Sequence, residues 1–94
     1  MTNYQKISKK LVELDLLANE IEKFDEDLFV SNCLSSQEVK ENYRNHIAYY
    51  NDDLKKESTN LDDLLKEVDI FLQETKKDLE LLKKGQKVTA LAFI

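Results

Sequence analysis

Seven residues in the last third of the chain, Leu61, Leu65, Val68, Leu72, Thr75, Leu79 and Leu82, recur at alternating steps of four and three. That spacing keeps one face of an α-helix on one side for about six turns at 3.6 residues per turn. Leu64 and Phe71 add a second apolar flank, which Asp78 interrupts at the same heptad position. A helix with two apolar flanks has more to bury than a single partner helix covers. The seam stops at Lys83-Lys84-Gly85, where the only glycine of the chain follows two lysines. Cations favour the negative end of the helix dipole, and glycine adopts the left-handed conformation that closes a helix. A helix over about 60–84 is predicted.

The first part of the chain repeats the pattern. Tyr4, Ile7, Leu11, Leu14, Ala18 and Ile21 form a seam, and Leu17, Phe24 and Leu28 take over as the stripe drifts sideways. A drifting stripe suits a helix that meets two neighbours. The predicted first helix runs over about 2–30, with Thr2 or Asn3 as its cap. Asp25 falls where the next seam residue belongs, and Asp25, Glu26 and Asp27 crowd the C-terminal end. The dipole disfavours each exposed acid there by roughly 0.3–1 kcal/mol. Fraying is expected unless Leu28, Phe29 and Val30 pack.

Ser31 to Ser35 reads as the first connection. Ser35-Ser36-Gln37-Glu38 then has the spacing of a reciprocal capping box. A second helix over about 36–58 follows, with Val39, Tyr43, Ile47, Tyr50 and Leu54 inward and His46 and Tyr49 on the flanks. Glu57-Ser58-Thr59-Asn60 allows two outcomes. A continuous helix over 36–84 would span roughly 74 Å against roughly 40 Å for the first helix, and its uncovered half would have to dimerise. A break makes Asn60 a cap and puts Asp62 and Asp63 in a first turn, where the dipole favours acids. The break is the favoured outcome. The predicted fold is all-α: a single domain of three antiparallel helices, the first and third long and similar in length, with a short tail over 85–94.

Proline is absent and 35% of the 94 residues are charged, a helical-bundle composition. The net charge is −5. An acidic chain repels phosphate backbones, so nucleic-acid binding is not expected. The charge is uneven: residues 61–82 hold seven acids and three bases, whereas 83–94 hold Lys83, Lys84 and Lys87 and no acid. Cys33 has no internal partner for a disulfide, which fits a reducing compartment. The start lacks an apolar signal core and no apolar run approaches a membrane span, so a cytoplasmic location is expected.

Nucleophilic catalysis lacks its parts, because the one histidine, His46, and the one cysteine, Cys33, lie on different elements. One Cys and one His make no zinc pattern. Carboxylates one turn apart, such as Glu22 and Glu26, are what solvated helix faces routinely carry. No catalysis, metal or cofactor is expected. The apolar groups say more. Tyr49 beside Tyr50, Ile70 beside Phe71 and Leu72, and Leu81 beside Leu82 place large side chains on more than one helix face. Either a small bundle wraps each helix broadly, or a groove awaits an amphipathic partner segment. The tail from Val88 to Ile94 must pack on the bundle, enter a partner, or stay exposed. The candidate partner-binding residues are Tyr43, Tyr50, Leu64, Phe71, Leu72, Leu79, Leu82, Val88, Leu91 and Phe93.

The run Leu79-Glu80-Leu81-Leu82-Lys83-Lys84-Gly85-Gln86-Lys87 resembles the Leu-x-x-Leu-Lys-x-Gly-x-Lys end of the third helix in FliT-type flagellar export chaperones of bacteria. The order of a long first helix, a short second, a long third and a basic-apolar tail is also similar. The resemblance implies a cytosolic helical bundle that binds the filament-cap protein before secretion and also contacts the export apparatus. It further implies a client groove on the second and third helices, over which the segment from Val88 to Ile94 would fold. Two other readings stay open: a structural or regulatory coiled-coil dimer, and a small helical inhibitor that masks another protein. Monomer and homodimer are both compatible with the sequence.

Overall fold

Three side-chain caps fix where the helices begin in the computed structural model, which describes residues 1–89. Thr2 opens α1 (Asn3–Ile21): its hydroxyl accepts from the Gln5 amide at 3.2 Å, and Gln5 Oε1 accepts from the Thr2 amide at 3.0 Å. Ser35 and Glu38 form the predicted reciprocal pair, at 3.1 Å each way, and open α2 (Ser36–Leu54). Asn60 opens α3 (Leu61–Lys83) by accepting from the amides of Asp62 and Asp63 at 3.0 and 3.2 Å. At the far end of α3, Gly85 takes φ +74°. The Gly85 and Gln86 amides then bond to the carbonyls of Leu82 and Leu81, both at 2.9 Å, which closes the helix as the glycine predicts.

The chain breaks between the second and third helices, so the single helix over 36–84 that would have favoured a coiled-coil dimer does not form. The second helix stops at Leu54, four residues before the expected end. Thr59 Oγ1 donates to the Asp53 carbonyl at 2.7 Å, in place of the amide that further helix would supply. The first helix is corrected more strongly. It ends at Ile21, followed by a 3-10 turn at Glu26–Leu28 and a two-residue strand, β1 (Phe29–Val30). Had α1 continued, Asp25 would lie four residues beyond Ile21, on the buried seam. Ending the helix leaves Asp25 exposed and brings Phe29 to 0% exposure. The first and second helices are consequently equal, at 19 residues each, and only α3, at 23, is longer.

Consecutive helices run antiparallel, which leaves α1 and α3 parallel. Lys10 reaches Asp69 at 2.7 Å and Lys76 reaches Glu13 at 3.0 Å, while Asn3 bonds Asp62. Across the antiparallel α1/α2 pair, Arg44 binds Glu22 at 2.6 Å and also engages Asp15 and Asn19. These exposed pairs set register more than stability. The core runs between α1 and α3, where Ile7, Leu14, Ala18 and Ile21 meet Val68, Leu72, Leu79 and Leu82. Thr75, the one polar seam residue, is buried and donates to the Phe71 carbonyl of its own helix at 2.7 Å. Tyr4 departs from its predicted place in the seam and is exposed, one turn before the core begins.

Beyond Gly85 the chain turns back to form β2 (Val88–Thr89), parallel to β1 with Phe29 opposite Val88 and Val30 opposite Thr89. Val88 is buried beside Phe29 and belongs to the core. The segment Val88–Ile94 thus divides after Thr89: Val88 packs on the bundle, and Leu91 and Phe93 lie outside the described residues. Among the described residues, no helix is long and apolar enough to cross a membrane.

Candidate functional site: the furrow between the second and third helices

α2 and α3 touch over a much shorter stretch than α1 and α3 do, and the gap between them is a concavity lined by both helices. It encloses about 300 Å³. Val39, Asn42, Tyr43 and His46 line it from α2, and Phe71, Glu74, Thr75, Lys77 and Asp78 from α3. Thr89, at the end of β2, stands at its mouth. The 3.6-residue period explains this lining. Val39, Tyr43 and His46 fall at steps of four and three, as do Phe71, Thr75 and Asp78, so each helix turns one stripe toward the gap.

The walls are aromatic. The His46 ring lies flat on Phe71, with centroids 4.8 Å apart and planes 13° apart. Tyr50 meets Phe71 edge-on at 5.8 Å, and Tyr43 meets it tilted at 6.3 Å. Phe29 extends the cluster by packing edge-on against Tyr43 at 6.4 Å, with the Lys40 ammonium 5.8 Å from its ring centre. Such arrangements add modestly to the burial of each ring.

At the deep end, Tyr43 donates its hydroxyl to Asp78 Oδ2 at 2.7 Å. Burial, with Asp78 beside it, pushes the Tyr43 phenol far above its ordinary value, so it stays protonated. Burial also raises the Asp78 carboxyl, and Glu74 adds to this, while the Tyr43 hydrogen bond and Lys77 pull the other way. Desolvation wins because Asp78 replaces an apolar residue in the second stripe of α3 and cannot leave the half-buried wall.

The furrow continues beyond this deep end. Two shallower depressions share His46 and Tyr50 and are bordered by Asn45, Tyr49, Glu67, Ile70 and Glu74. Tyr49 and Ile70 are 58% and 59% exposed, large apolar groups on opposite rims. From Glu67 to Asp78 the floor follows α3 for roughly 17 Å at 1.5 Å per residue.

No family model, curated protein or solved structure matches the chain.

Among the ten candidate residues, Tyr43, Tyr50 and Phe71 reach the furrow, each with one edge at the surface. Leu64, Leu72, Leu79, Leu82 and Val88 are buried in the bundle and hold the site's shape from behind. His46, Tyr49, Ile70, Glu74 and Asp78 were not among the candidates, yet they form the accessible walls. Asp78 carried a signal, as the one acid in an apolar stripe. Tyr49 and Ile70 carried another, as apolar groups off the seam. Cys33 is exposed in the connection before α2. Glu22 is held by Arg44, and Glu26 lies in the 3-10 turn, off the helix that would have set the two acids one turn apart.

Proposed function

We propose that this chain is a non-enzymatic binding protein whose α2/α3 furrow holds an amphipathic segment of a client protein. One observation carries the reading: an aromatic furrow about three turns long stays open along α3, with Tyr49 and Ile70 exposed on its rims. A helix laid there covers apolar surface that the bundle leaves in water. Such binding makes and breaks no covalent bond. It works by masking, because a client surface seated in the furrow is withheld from self-association.

The specific form is export chaperoning of a flagellar filament-cap protein in a bacterial cytoplasm. Its support is the C-terminal run. Leu79 and Leu82 lie in the core, Lys83 and Lys84 end α3, and Gly85 takes the left-handed turn that follows. These positions support the architecture more directly than the client. A helical inhibitor of another protein would use the same furrow, so the client distinguishes the two readings.

The test is to mix the full chain with the purified filament-cap protein of the same source and weigh the complex by light scattering after gel filtration. A stoichiometric complex is expected, and Ile70→Asp with Tyr49→Asp should abolish it while the circular dichroism spectrum is unchanged. Absence of a complex would end the flagellar form. A complex indifferent to both substitutions would end the furrow reading.

A further inference from the structure

The charges around the furrow narrow the chemistry of what it takes. Along α3, Glu67, Ile70, Phe71 and Glu74 follow one another at i, i+3, i+4 and i+7, so they share one face. Two apolar groups thus sit between two carboxylates about 10 Å apart along the axis. Both carboxylates border the furrow, and neither has a cation at ion-pair distance among the described residues. Elsewhere on the bundle four acids that face a neighbouring helix are paired with cations: Asp69 with Lys10, Glu13 with Lys76, and Asp15 and Glu22 with Arg44. Among the described residues the one lysine or arginine lining the furrow, Lys77, stands beside Asp78. The facing α2 wall offers Tyr49 and Tyr50, whose ring faces attract cations. Glu67 and Glu74 also hold the Tyr50 phenol above its ordinary value, behind burial as the first cause, so their field reaches across the furrow.

We propose that the furrow's occupant is a basic amphipathic helix of a partner protein, with Lys or Arg at two positions seven apart and apolar residues between them. The apolar residues lie on Ile70 and Phe71, and the two cations meet Glu67 and Glu74. This rests on the furrow reading above and adds the charge of the ligand to it. Rim ion pairs are individually weak, so the discrimination comes from two acting together, reinforced where the cation's stem lies on an aromatic ring.

Two synthetic helical peptides test the proposal. They share one leucine face and differ only in carrying Lys or Glu at the two flanking positions. Binding to the full chain is read by fluorescence anisotropy of the labelled peptide at about 0.15 M salt, where long-range attraction is screened. The Lys peptide should bind about tenfold more tightly, and Glu67→Gln with Glu74→Gln should shrink that preference to about threefold or less. Glu20→Gln with Asp27→Asn removes the same charge away from the furrow and should leave the preference intact. All four residues are exposed, so each variant is expected to keep its helicity. If both peptides bind equally and Ile70→Asp releases both, the furrow reading survives and the cationic one is overturned. If both double variants lose the preference alike, general acidity explains it and the proposal is again overturned. If neither peptide binds, both readings fall. A self-associated chain that Ile70→Asp disperses would make a second copy the occupant, which also overturns the proposal.

Discussion

Tyr43 and Asp78 form a hydrogen-bonded pair in the furrow wall, and both groups favour their protonated forms in the fold, in different pH ranges. The raised Asp78 carboxyl means that folding favours its protonated form. Its contribution is therefore complete below the ordinary carboxylate range and is lost as pH rises through the raised value. Asp78→Asn keeps an acceptor for the Tyr43 hydroxyl and removes the charge. It should stabilise the fold at neutral pH in urea melts, with the gain vanishing in acid. The Tyr43 phenol is also raised, so it holds its proton in the fold and loses it in the unfolded chain above pH 10.0, the ordinary value. Stability should fall as pH climbs past that point, and ultraviolet absorbance should show one tyrosine ionising only with unfolding. Tyr43→Phe leaves Asp78 without its donor in a half-buried wall and should cost about 1–3 kcal/mol at neutral pH. The sequence made the interruption at Asp78 visible through its heptad position. Its phenolic partner was not legible, because 35 residues separate the two.

Each helix end tests a separate local rule. Asn60→Ala removes the acceptor for two amides and should cost about 1 kcal/mol. Gly85→Ala has a purely backbone penalty, since an added Cβ meets nothing within 4 Å. At φ +74° this should amount to about 1–2 kcal/mol, read as a fall in denaturant midpoint. These ends were legible because a cap is written within four residues of the helix it serves. The end of α1 was not. Nothing within one turn of Ile21 says that Phe29 will pack against Tyr43 and pair with Val88. The only local warning was Asp25 standing where the seam asked for an apolar residue. A groove on α2 and α3 was expected, but its width and its full set of walls were illegible for the same reason. Periodicity tells which stripe of a helix is apolar, but the separation of α2 from α3 is set by how both pack on α1.

At the scale of the molecule, the bundle has a firm side and an open one. The firm side is the α1/α3 contact, and Leu72 and Leu79 lie in it at 1% and 4% exposure. Replacing both by Asp should abolish helicity, as circular dichroism will show, because each change buries a charge. The same substitution at Ile70 leaves helicity intact, so the pair of experiments separates scaffold from surface. The short pairing of β1 with β2 has a consequence of its own. It fastens residue 29 to residue 88 and so encloses α2 and α3 in a loop of almost sixty residues. Closing a loop of that length carries an entropic penalty that only prior docking of its contents offsets. The clasp is thus a late event in assembly and an early one in unfolding. Its ladder amides should exchange with deuterium well before those of Val68 and Leu72, making this end of the molecule its first point of surrender under load.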